Sequence, residues 1–288
     1  MDNKTAGFIH LHIAVLLFGL AGLFGKWIAQ QPVVIVLGRA FFAAISLALL
    51  LIFKRKTLIP SGFVAHLHLL ILLGILLAVH WFSFFRAIQV SSVAVGVFTY
   101  SAFPVFVSFL EPLFFKERFK AMSVIAALVT SGGVALMSFN NGSQSSVSRG
   151  ALWGVFSGLT FALLSLINRK LVKCYEPLLM ALYQNATAAI LLSPFYIVLA
   201  PKITGRDLLL LVILGVIFTA ISHSLFISSL QYLRTRVASI VACLEPVYGV
   251  MFALLLLKEI PGLRIIAGGF IIIIMAIYIA IRMERDLE

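Results

Sequence analysis

PVFVSFLEPLFFKE, residues 104–117, and PVYGVMFALLLLKE, residues 246–259, open on the same Pro-Val pair, close on the same Lys-Glu pair and lie 142 residues apart. The same offset carries Gln89 onto Gln231 and Val95 onto Val237, so the correspondence reaches well upstream of the prolines. The second half of the chain therefore restates the first. In an apolar chain such a duplication points to transport, because halves related by a pseudo-two-fold axis can build two similar states that open to opposite sides of a bilayer.

The chain is apolar throughout. Of its 288 residues 62% are hydrophobic and 11% charged, which leaves too little polar surface for a soluble globule of this length. An integral membrane protein is expected, with lipid as its surroundings. The net charge of +12 is carried by short clusters between apolar runs, where Lys and Arg set orientation, and not by a stripe suited to nucleic acid. Cys174 and Cys243 have no CxxC or Cys/His cluster near them, so neither a disulfide framework nor a metal site is expected, and no cofactor motif is present. The first apolar run could be read as a signal peptide. It is read here as the first membrane helix, because the repeat needs it.

Ten apolar runs have about the length a helix needs to cross about 30 Å of hydrocarbon. They lie near 8–29, 33–53, 64–85, 92–115, 121–139, 150–169, 178–199, 208–230, 236–257 and 262–281. The runs are continuous rather than alternating, which excludes a barrel. With both termini on the cytoplasmic side of a cell membrane, fourteen Lys and Arg fall inside and seven outside, the expected direction of bias. Five helices per half is an odd number, so the second half enters the membrane inverted. The expected architecture is all-α, ten transmembrane helices in two inverted five-helix repeats, residues 1–140 and 150–288, joined by a flexible polar linker at 141–149.

The pattern HWFSFFRAIQVSSVAV followed by FPVFVSFLEPLFFKER, echoed by HSLFISSLQYLRTRVASIVACLEPVYGVMFALLLLKE, resembles the EamA-domain branch of the drug/metabolite transporter superfamily. The resemblance covers nearly the whole chain. It implies a secondary carrier of small metabolites, with a central cavity built from the first four helices of each half and a fifth helix in each used for packing or for a homodimer contact. It does not name the substrate.

Charged groups inside a bilayer are costly and are functional candidates by default. Glu245 lies near the middle of the ninth run, some 15 Å deep. It can read a positive group on a substrate, carry a coupling proton, or pair structurally with Arg39 of the second run. Glu111, near the cytoplasmic end of the fourth run, reads as structural, since its repeat equivalent is Ala253. His80 and His223 occupy nearly symmetric positions, one residue out of register, and an imidazole that titrates near neutrality suits proton coupling; both could equally be hydrogen-bonded between helices. His10, His12, His66 and His68 read as interfacial anchors.

Trp81, Tyr100, Trp153, Tyr183 and Tyr248, with Phe103, could stack on a flat ring or enclose a cation, or could be core. Gln184, in the amide-rich Tyr183-Gln184-Asn185, aligns with Arg39 in the repeat and could serve the site or glue helices. Pro104 and Pro246 remove the same backbone hydrogen bond in symmetric places, which gives a hinge or a packing kink.

The leading expectation is thus an exporter or exchanger of small amphipathic metabolites, amino acids including aromatic ones first. The site expected is His80, Trp81, Tyr100, Phe103, Trp153, Tyr183, Gln184, Glu245 and Tyr248, with Glu245, His80 and His223 as coupling candidates. A carrier of organic cations or nucleobase-like solutes is the alternative, and a non-transporting scaffold or sensor the reading from another class. No HExxH, GxGD or GxSxG occurs, which argues against an enzyme.

Overall fold

A computed structural model describes residues 3–59, 63–115, 121–138 and 144–285. Among these every regular element is a helix. Eight are long and apolar enough to cross a membrane, and two shorter apolar helices complete a set of ten. In chain order they are α1 (Asn3–Trp27), α2 (Pro32–Phe53), α3 (Phe63–Val90), α4 (Val93–Phe115), α5 (Ala121–Ser138), α6 (Gln144–Leu171), α7 (Pro177–Leu199), α8 (Gly205–Ser229), α9 (Val237–Leu257) and α10 (Leu263–Arg285). Large apolar side chains such as Phe53 (87% exposed), Ile197 (80%) and Ile274 (63%) face outward, which is stable only against lipid. The chain is a multi-pass membrane protein.

Punctuation in the sequence sets most of the boundaries. Pro32 and Pro177 stand in the first turns of α2 and α7, where a missing N–H costs nothing. The Ser92 hydroxyl accepts from the Val95 amide at the start of α4 (3.1 Å), and Thr204 does the same for Asp207 at α8 (3.1 Å). The linker expectation needs correcting. Helix α6 begins at Gln144, because no Gly or Pro lies between Gln144 and Arg149 to stop it, so most of the predicted linker is the first turn and a half of a helix. Residues 141–143, like the Lys116-Glu117 pair, lie outside the described residues.

Two spans are broken in matched places. Helix α4 pauses in a turn at Ser101–Ala102 and restarts at Phe103; α9 pauses at Cys243–Leu244 and restarts at Glu245. The breaks are 142 residues apart, the offset of the repeat. Pro104 and Pro246 sit in the first turns of the restarted segments rather than as kinks within continuous helices. The packing follows the same exchange of halves: α3 lies along α6 as α1 lies along α8, while α2 packs on α7 and α5 on α10. In the last pair Gly133 and Gly268 put backbone against backbone, since a Cβ on Gly133 would come within 2.9 Å of the Gly268 carbonyl.

Candidate functional site

The paired breaks face a cavity at the centre of the bundle, lined from α1, α2, α3, α4, α6, α8 and α9. Its volume is about 30 Å³, room for a water molecule or two. Helix α3 supplies Leu77, His80, Trp81 and Phe84, which the i, i+3, i+4, i+7 spacing places on one face. Tyr100 precedes the break in α4, and Glu245 is the first residue after the break in α9. Phe18 and Ala21 enter from α1, Phe161 from α6, Arg39 from α2 and His223 from α8.

Arg39 is 2% exposed and held on two sides. Its Nε donates to Thr219 Oγ1 (3.0 Å), and its guanidinium lies 3.7 Å from the centre of the Trp81 ring and 5.4 Å from that of Phe85. Thr219 belongs to a π-helical turn, Val216–Ile221, and its hydroxyl donates to the Leu214 carbonyl five residues back (2.7 Å). Such turns free a carbonyl and are frequent at functional sites. The structural pairing of Glu245 with Arg39, one of the alternatives left open by the sequence, is not made: both line the cavity, but no ion pair joins them, because Thr219 and Trp81 fix the guanidinium elsewhere.

Glu245 is 4% exposed; its carboxyl interacts with the Tyr100 hydroxyl, while Oε2 has no hydrogen-bond partner. His223 is 2% exposed, packs edge-on to Trp81 (5.7 Å) and has no partner on either ring nitrogen. A buried polar atom left unpaired costs about 1–3 kcal/mol, so these three need a water or a ligand in the cavity to satisfy them. His80 is by contrast secured. Its Nδ1 donates to the Ser157 carbonyl (3.1 Å) and meets Ser157 Oγ (2.8 Å), and that hydroxyl donates back to the His80 carbonyl (3.1 Å). Because a carbonyl only accepts, the proton of a neutral ring sits on Nδ1 and Nε2 is the free acceptor.

The one-residue slip between the histidines has a simple geometry. At an offset of 142, His223 is the counterpart of Trp81 rather than of His80, and the two counterparts touch across the cavity. Of the remaining sequence candidates, Phe103 stacks on Tyr100 (5.5 Å, 20°) and backs the cavity from behind. Four lie elsewhere. Trp153 sits edge-on to Phe82 (5.8 Å), Tyr248 packs over Gly19, and the Tyr183 hydroxyl donates to the Leu58 carbonyl (2.7 Å) at one end of the molecule. Gln184 Nε2 donates to Asn168 Oδ1 (2.7 Å) in a separate buried cluster where Gln184 Oε1, Asn168 Nδ2 and Ser165 Oγ have no partners. Phe161 and Thr219 were not singled out in the sequence. Nothing marks Phe161 among 25 phenylalanines, and only the π-turn gives Thr219 its place.

Both ends of the bundle are tied. At one end Asp207 accepts from the Ala29 amide (3.2 Å) and Gln30 Nε2 (3.1 Å), and the Gln30 carbonyl accepts from Gln89 Nε2 (2.8 Å). Lys26 Nζ donates there to the Ser91 carbonyl (3.0 Å), and the Glu259 carboxylate caps α4 at the Val93 amide (2.9 Å). The opposite end is held by an Arg169–Glu111 ion pair (2.5 Å), with Arg169 over Phe115 (4.5 Å), and by His66 to the Tyr175 hydroxyl (2.9 Å). Glu111 is thus a brace between α4 and α6. No cluster of three metal-ligating side chains occurs among the described residues.

The model of the EamA-like transporter family matches the chain twice, over residues 5–139 and 148–281. An uncharacterized transporter, YxxF, of Bacillus subtilis (strain 168) is 24% identical over 253 residues, 86% of this chain and 81% of that one. The uncharacterized inner membrane transporter YicL of Salmonella typhimurium (strain LT2) is 30% identical over 139 residues, 46% of each chain. A solved crystal structure superposes with a TM-score of 0.68 over 98% of both chains at 16% identity, a shared fold.

Proposed function

Because the chain belongs to the EamA-like transporter family, and so is a membrane transporter of small solutes, we propose that it carries zwitterionic amino acids, aromatic ones included, by alternating access. One observation carries this reading: Arg39 and Glu245 are buried in a single cavity without pairing with each other. A buried charge is stable only with a counter-charge and hydrogen bonds. An α-amino acid supplies both in one molecule, its carboxylate to Arg39 and its ammonium to Glu245. Trp81, Phe84, Tyr100 and Phe161 then meet its side chain, and the free nitrogens of His223 take a further hydrogen bond. An organic cation would meet Glu245 but also Arg39, and a neutral nucleobase would leave both charges unmet.

The cavity of about 30 Å³ must widen to admit such a ligand. The matched breaks of α4 and α9 are the natural hinges, since a broken helix has already given up the hydrogen bonds that bending would cost. The repeated family match supports two five-helix repeats, and the Lys/Arg bias supports their inversion, with both termini cytoplasmic in a cell membrane. Glu245 is the proton-coupling candidate, with His80 and His223 beside it.

The test is a thermal-shift series on detergent-purified protein. Amino acids should raise the melting temperature, since a ligand at a hundredfold its Kd adds about 2.7 kcal/mol. Their decarboxylated amines and N-acetyl derivatives should not. Stabilisation by quaternary amines or nucleobases alone would transfer the site to the alternative substrates, and absence of flux into liposomes for every stabilising compound would favour a sensor.

A further inference from the structure

A second cavity, of about 430 Å³, opens between α2, α7 and α8, on the outside of the bundle. Val34, Gly38, Phe41, Tyr196, Ile203 and Leu211 are among its walls, and the lining is almost wholly apolar. It begins at the end where α7 stops and α8 starts. Its deepest lining residue on α2, Phe42, is ten residues from Pro32, about 15 Å along the helix. That is half of an about 30 Å hydrocarbon core, the depth of a single leaflet.

The lining itself is uncharged, and the cations nearest to it in sequence belong to the segment where α7 passes into α8. Lys202 immediately precedes the lining residue Ile203 and Arg206 lies two residues before Leu208; both are exposed, and neither has an ion-pair partner among the described residues. The acid of that segment, Asp207, is buried and turned away toward Ala29 and Gln30. A groove one leaflet deep with unpaired cations at head-group level matches an anionic phospholipid.

We propose that this groove is a specific site for an anionic phospholipid, an acyl chain lying against Gly38 and Leu211 and the phosphate meeting Lys202 and Arg206. The consequence reaches the central cavity through one helix. Gly38 precedes Arg39, and a Cβ on Gly215 of α8 would fall 3.0 Å from the Arg39 carbonyl. Leu211, Gly215 and Thr219 succeed one another by single turns of α8, so the lipid braces the α2–α8 contact that holds the guanidinium. The proposal is independent of the substrate.

The experiment is a lipid titration of the delipidated, detergent-purified full chain, read as melting temperature, with phosphatidylglycerol against phosphatidylcholine of the same acyl chains. The expected shift with phosphatidylglycerol is at least twice that with phosphatidylcholine. In the double variant Lys202→Ala/Arg206→Ala, which changes only exposed side chains, the two lipids should become equal. Ser193→Trp, which fills the groove from an exposed position, should lose most of the phosphatidylglycerol shift. Equal shifts in the unaltered protein, a preference that survives the double variant, or full stabilisation of Ser193→Trp would each overturn the proposal. So would a dimer that forms through this face and excludes the lipid.

Discussion

Arg39 shows how much a single side chain can be asked to do and how much of that is readable. As a cation several residues inside a predicted span rather than at its end, it stood out from the sequence. Its partner did not. The ion pair with Glu245 that the sequence left open gives way to a stack on Trp81 and a bond to Thr219, because a planar guanidinium gains from an aromatic face what an ammonium cannot. Arg39→Lys keeps the charge and loses both contacts. A desolvated cation–π contact is worth about 2 kcal/mol, so ligand affinity should fall roughly 30-fold by calorimetry while the protein remains folded. An affinity unchanged by the substitution would remove Arg39 from the binding site. His80, Trp81, Tyr100, Glu245 and His223 reach one cavity, as polar or amphipathic groups deep in apolar spans tend to. Trp153, Tyr183, Gln184 and Tyr248 do not, because residue type does not say which neighbour an inward-facing side chain meets: Gln184 is fully buried, but against Asn168.

Helices were more legible than side chains. Ten apolar runs became ten helices, with ends shifted by a few residues where a polar stretch could still complete a turn, as at Gln144. The two prolines announced irregularity at the right place but not its kind: a kink and a full break with proline in the first turn of a new segment read alike in sequence. The π-turn of α8 left no trace in the sequence, since no residue type requires it. Glycines separate cleanly at this scale. A Cβ on Gly158 of α6 would stand 2.7 Å from the Tyr100 carbonyl, so Gly158→Ala must push α6 away from α4. Overpacking of this sort costs about 1–3 kcal/mol, and the melting temperature should drop by several degrees. Gly132 of α5 has nothing within 4 Å, and Gly132→Ala should be neutral or stabilising by about 0.5–1 kcal/mol. Equal losses for the two would contradict the packing described.

At the scale of the molecule, two tied ends enclose a small centre, and the ties differ in chemistry. One end is a web of amide and carboxylate hydrogen bonds around Gln30 and Asp207; the other relies on the charge pair Glu111–Arg169. Glu111→Gln should loosen that second end alone. With a cysteine at Ser165, between the cavity and Arg169 on α6, alkylation from that side should accelerate at least roughly fivefold, the effect of about 1 kcal/mol in an opening equilibrium. Unchanged alkylation would make the pair a fixed brace. The sequence foretold neither tie, since each joins residues far apart in the chain whose meeting depends on how the halves dock.

The matched breaks carry one more consequence. At an offset of 142 the counterpart of Glu245 is Phe103 and that of Tyr100 is Ala242, so duplication has preserved the backbone and discarded the chemistry. A two-fold frame with one carboxylate is a keyed lock: a bound molecule cannot turn end for end. A zwitterion carried as proposed would have to offer its cationic group to the same wall whichever side of the membrane it came from, and would depart without having been reversed.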